Sequence, residues 1–109
     1  ARLDAVPTPV LASAVVVNGV AEEVLQRAVA FPLLAGLTGS AGAGAALTVL
    51  GAAAAHGPGW GAGPAVALVL SGAVMMSAYL ASGDLWALVL AHVLIDTAGL
   101  LLPRLRRRA

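Results

Sequence analysis

The sequence contains no cysteine and no lysine, and only one phenylalanine, one tyrosine and two tryptophans in 109 residues. Without cysteine there is no disulfide, no thiolate metal site and no cysteine nucleophile. Charge is scarce as well: five acidic and six basic residues make up 10% of a chain that is 61% hydrophobic, and the mean hydropathy is +0.98. A soluble domain carries about 25% charged residues, so this composition fits lipid rather than water as the main solvent. The net charge of +1 comes from a terminal cluster, Arg104, Arg106, Arg107 and Arg108, which is a topology signal and not a nucleic-acid surface. Period-two alternation is missing, and with it the pattern of a membrane barrel. The glycines around Gly39 to Gly44 are not a phosphate loop, because no Gly-Lys-Ser/Thr ending follows and no strand precedes.

What is there is a set of four apolar runs separated by Pro, Gly and charge, each near the length needed to cross a bilayer. The fold class expected is all-α: a multi-pass transmembrane helical bundle occupying 1–109 as one core, with helices over about 10–31, 37–55, 64–81 and 85–102. The chain begins at Ala1 with no charged leader, so it is expected to be a segment of a longer membrane protein with further helices. The second run, with Gly39, Ser40, Gly42, Gly44 and Gly51 among alanines, predicts a thin helix packed inside the bundle. The stretch from His56 to Gly63, containing Pro58, predicts a turn or re-entrant lip. Trp60, Tyr79 and Trp86 fall near predicted helix ends, where amphipathic rings suit the membrane interface. Pro103 is expected to stop the last helix, and the arginines after it place the C-terminus in the cytoplasm. Four crossings place the N-terminus there too.

Ionisable groups within membrane spans are costly, and they mark function by default. In the first run, Glu23 and Arg27 are four apart in the order that favours pairing, so they are expected to neutralise each other. Glu22 points about 100° away around the axis, on the face it shares with Asn18 and Gln26. A buried glutamate there suits a group that must take and give a proton. In the last run His92 and Asp96 are four apart and project from one face. His56 ends the second run just before Gly57-Pro58, where a histidine could equally complement the negative end of its helix. Two histidines and a glutamate are also a zinc ligand set, but no His-Glu-x-x-His spacing is present. Asp84 reads as a helix cap.

Glu22-Glu23 with Arg27 on one helix, His56 at the end of the next, and Leu85-Trp86 followed by His92 and Asp96 together resemble the CPBP family of intramembrane glutamic endopeptidases, also called the Abi or CAAX-protease-like family. The resemblance runs from about Ala21 to Gly99. It implies that Glu22 activates water with His56 assisting, that Glu23 and Arg27 support the first motif, and that His92 meets the oxyanion. Asp96 is then expected to orient His92. It also implies membrane lipid and a peptide or protein substrate as partners, the cell membrane as location, and no cofactor, with zinc as the outside option. The sequence departs from the family pattern at Gln26, where a Phe is usual, at Ala28, where a Gly is usual, and at Ala52, where an aromatic is usual. It also has fewer helices.

One tension is visible in advance. At about 1.5 Å per residue, Glu22 lies some 20 Å along its helix, while His56 closes the next one. The expected resolution is a later start for the first helix combined with a lip that dips inward. The function expected is hydrolysis of a peptide bond by glutamate-activated water. The alternatives are a non-enzymatic immunity or binding protein on the same scaffold, a zinc-dependent membrane peptidase, and a proton or ion pathway. An Ala-, Gly- and Arg-rich chain suits a GC-rich bacterial genome, where prenylated CAAX substrates are not expected, so the peptide stays open.

Overall fold

A computed structural model describes residues 3–56, 59 and 61–108. Among them there is no strand: the chain is helical nearly throughout, in the order α1 (Thr8–Glu23), a π-helical segment (Val24–Ala30), α2 (Phe31–Thr38), α3 (Ala41–His56), α4 (Ala62–Ser82), α5 (Leu85–Asp96), a second π-helical segment (Thr97–Leu101) and α6 (Leu102–Arg108). Among the described residues, three continuous helices are long and apolar enough to cross a membrane, namely Thr8–Thr38, Ala62–Ser82 and Leu85–Arg108. The 16 residues of α3 reach about 24 Å at ~1.5 Å each, shorter than the other three. Large apolar side chains such as Val17, Leu37, Val74 and Leu90 stand exposed along the long helices, as lipid-facing side chains do.

Two boundaries differ from the expected ones because proline did not stop either helix. The first helix begins at Thr8, earlier rather than later than expected, and continues through Pro32 to Thr38. The last continues through Pro103 to Arg108. A proline in an α-helix removes one N–H and presses its ring on the carbonyl four residues back. Here each proline is the second residue after a π-helical segment, in which bonds reach five residues back and the turn is wider. The Leu102 N–H, just before Pro103, donates to the Thr97 carbonyl five residues earlier. What ends the first helix instead is Gly39, in the left-handed region with φ 71°, and the second helix therefore starts at Ala41 and not at 37.

The chain divides into two compact units, Ala1–Glu23 with Trp86–Ala109, and Val24–Leu85. In the first, Leu11, Val15 and Leu101 form a buried cluster flanked by Val6, Ala12 and Val93. The buried residues of α1 are Leu11, Val15, Gly19 and Glu23, a stripe at every fourth position. At its other end α6 is tied down by Arg104, 4% exposed, whose guanidinium donates to the Val6 carbonyl. Arg104 is thus a structural residue, although it belongs to the cluster read as a topology signal.

In the second unit α3 packs against both α2 and α4, as its glycine-rich sequence predicts. A Cβ on Gly44 would stand 2.6 Å from the Ala35 backbone nitrogen, and one on Gly72 would stand 3.2 Å from the Val49 side chain. Small residues let these backbones approach. Between α2 and α3, the Ser40 hydroxyl accepts from the Ala43 N–H at 3.2 Å in the manner of a helix N-cap. The ring of Tyr79 meets Phe31 edge to face at 6.2 Å, and Gly83, with φ 64°, closes α4 by donating to the Tyr79 carbonyl. The expected lip falls largely on Gly57, Pro58 and Trp60, which lie outside the described residues.

Candidate functional site: a histidine among three carboxylates

The first unit gathers four of the residues singled out in the sequence. His92, on the third turn of α5, has Nδ1 2.7 Å from Glu23 Oε2, Nε2 3.2 Å from Glu22 Oε2, and Nε2 3.3 Å from Asp96 Oδ2. The Asp96 contact follows from spacing, since residues four apart on a helix share a face. The two glutamates come from α1, which is brought close by Gly19: a Cβ there would lie 2.8 Å from Val93 Cγ2 and 3.9 Å from the His92 ring. Gly19 is a site residue that the sequence reading passed over, although it lies one turn before Glu23 on the buried stripe.

Burial separates the two glutamates opposite to expectation. Glu23, in register with Leu11, Val15 and Gly19, is 1% exposed, whereas the Glu22 side chain keeps 21%. Asn18 is exposed, so it does not extend a buried polar seam from Glu22. Glu22 and Glu23 nevertheless both reach His92, because an imidazole offers two nitrogens at opposite edges.

The contacts limit how protons are arranged. Ionised carboxylates only accept, so a bond at Nδ1 to an ionised Glu23 needs the proton on Nδ1. At Nε2, a bond to Glu22 or Asp96 needs a proton on that nitrogen or on one of the two carboxyls. The cluster can therefore take up and hand on a proton over about 3 Å without moving the backbone, which is the geometric requirement for general acid–base work.

Arg27 and His56 belong to the other unit. Arg27 is 2% exposed and donates to the side-chain carbonyl of Gln26. That bond uses the polar Gln26 at a position where the resembled family usually has Phe. His56 is exposed at the end of α3, its Nδ1 2.8 Å from the Ala52 carbonyl, an anchoring that a helix-end histidine makes readily. Among the described residues no group of three or more His, Asp or Glu side chains is disposed to hold a metal ion.

The model of one protein family, described as type II CAAX prenyl endopeptidase Rce1-like, matches residues 4–98. No curated protein and no solved structure matches the chain.

Proposed function

Because the chain belongs to this Rce1-like family of CAAX-type membrane proteases, we propose that it is an intramembrane endopeptidase in which Glu22 activates a water molecule. The observation that carries the reading is the placement of Glu22, partly exposed and 3.2 Å from His92 Nε2, beside the fully buried Glu23. A base must meet water and substrate, and of the two glutamates Glu22 is the accessible one.

The steps follow from elementary chemistry. Glu22 takes a proton from water as the oxygen attacks the scissile carbonyl carbon, giving a tetrahedral oxyanion. His92, an N–H donor in a site of low dielectric, stabilises that charge. Collapse breaks the carbon–nitrogen bond, and the proton held by Glu22 goes to the leaving amine. The products are a carboxylic acid, which keeps the second proton of the water until it ionises, and an amine, and the base is regenerated. Asp96, one turn from His92, orients its Nε2 edge. His56 is assigned to assist Glu22, and Glu23 and Arg27 to support it, on the resemblance of the sequence motifs. No cofactor takes part. The substrate is a peptide segment at the membrane, prenylated or not, and the C-terminal arginines favour the cytoplasmic side for the C-terminus.

Cleavage of a membrane-anchored peptide library in H2 18O tests the proposal. One 18O atom in the new carboxyl terminus of the N-terminal fragment is expected, and none in the fragment that leaves as the amine. Failure to cleave any peptide, combined with undiminished protection of cells by Glu22→Gln, would favour a binding protein on the same scaffold.

A further inference from the structure

The family motif couples Glu23 to Arg27, yet in the first unit the Glu23 carboxylate is also placed on His92. Its Oε2 lies 2.7 Å from Nδ1, against 3.2 and 3.3 Å for the two carboxyls at Nε2. It is 1% exposed, and it sits on the stripe of α1 that packs on α5 through Gly19 and Val93. Which ring nitrogen of a histidine carries the proton is set by the bond that the other nitrogen makes. A buried carboxylate at Nδ1 puts the proton there, fixes the ring plane, and turns Nε2 toward whatever reacts.

We propose that Glu23 is a positioning residue for the reaction: it holds the Nδ1–H of His92, so that Nε2 is the nitrogen offered to Glu22 and to the reacting carbonyl. The role rests on the peptidase reading, and it completes the proton balance of that reading. The proton that Glu22 removes from water is shared with Nε2 across 3.2 Å. The imidazolium so formed has Glu23 as its counter-charge at Nδ1, as the buried carboxylate of a catalytic triad serves its histidine. The positive ring then faces the oxyanion, and when the intermediate collapses the proton returns through Glu22 to the amine. Every proton taken from water is thereby delivered to a product. Asp96, also at Nε2, restrains the ring from its own helix.

Two measurements on the intact protein in lipid nanodiscs test this. The first is 15N NMR of histidine-labelled protein, in which His92 and His56 are the two histidines of the chain and His92→Ala identifies the His92 signals by their loss. A proton on His92 Nδ1 in the wild type is expected, with the proton of the neutral ring moving to Nε2 in Glu23→Ala. An unprotonated Nδ1 in the wild type overturns the proposal, and that result needs no variant to fold. The second is peptide cleavage by Glu23→Gln, which keeps the shape and removes the charge. A fall in kcat of about 100-fold is expected, with KM near the wild-type value. A wild-type kcat in Glu23→Gln, alongside inactive Glu22→Gln, overturns the positioning role and leaves the peptidase reading standing. Wild-type activity in Glu22→Gln and His92→Ala as well would sink the assignment of the reaction to Glu22 and His92, and the absence of cleavage by the wild type would sink the peptidase reading itself.

Discussion

Gly19 and Val93 are in contact so close that a methyl group added to the glycine would lie 2.8 Å from Val93 Cγ2. This approach is what brings Glu22 and Glu23 of α1 within bonding distance of His92, the residue before Val93. Gly19→Ala should push α5 outward, and a shift of about 1 Å at the reacting groups costs on the order of 100-fold in rate. Val93→Ala removes the obstructing atom, so the double variant should recover most of the activity. Peptide cleavage across the four proteins of this cycle measures the coupling. Additive losses would show that the contact does not set the site.

The glycines of α3 divide by environment. A Cβ on Gly44 meets the Ala35 backbone at 2.6 and 2.7 Å, whereas one on Gly51 meets nothing within 4 Å. Gly44→Ala should lower stability by about 1–3 kcal/mol through overpacking. Gly51→Ala should be neutral or stabilising by up to about 1 kcal/mol, since alanine is the better helix former. Thermal unfolding in detergent micelles compares the two.

The terminal arginines divide in the same way. Arg104 is buried against the Val6 carbonyl, while Arg107 reaches Asp4 at 3.3 Å with both side chains mostly exposed. Arg104→Ala removes the donor to a part-buried carbonyl and should cost about 1–3 kcal/mol. Arg107→Ala should cost at most about 1 kcal/mol, and less in high salt. The same unfolding measurement, run at two salt concentrations, checks both.

Much of this was legible before the structure. Apolar runs and scarce charge announce membrane helices, and the four-residue spacing of His92 and Asp96 announces their shared face. The burial of Glu23 was legible too, since it falls on the every-fourth-residue stripe of Leu11, Val15 and Gly19. The four-residue spacing of Glu23 and Arg27 competes with that register as a signal. The helix ends were not legible, because Pro32 and Pro103 obey the rule for α-helical turns, and the turns before them are π-helical. The meeting of α1 with α5 depends on the fit of Gly19 to Val93, a contact between residues 74 positions apart that no local pattern encodes.

Metal removal separates the glutamate mechanism from the zinc alternative. Treatment with 1,10-phenanthroline or EDTA should leave peptide cleavage at its starting rate, since the proposed steps use only side chains of the chain. Loss of activity that zinc restores would support the metallopeptidase instead.

Whether Glu22 and His92 carry the reaction is decided by the cleavage rate of a membrane-anchored peptide by Glu22→Gln and His92→Ala, measured beside wild type and His56→Ala in the same nanodiscs. The Gln variant keeps the size and hydrogen-bonding capacity of Glu22 but cannot take a proton from water. A fall in kcat of at least about 100-fold is expected for Glu22→Gln and for His92→Ala, with a smaller fall for His56→Ala. Cleavage by Glu22→Gln at the wild-type rate would contradict the role of Glu22 as the base.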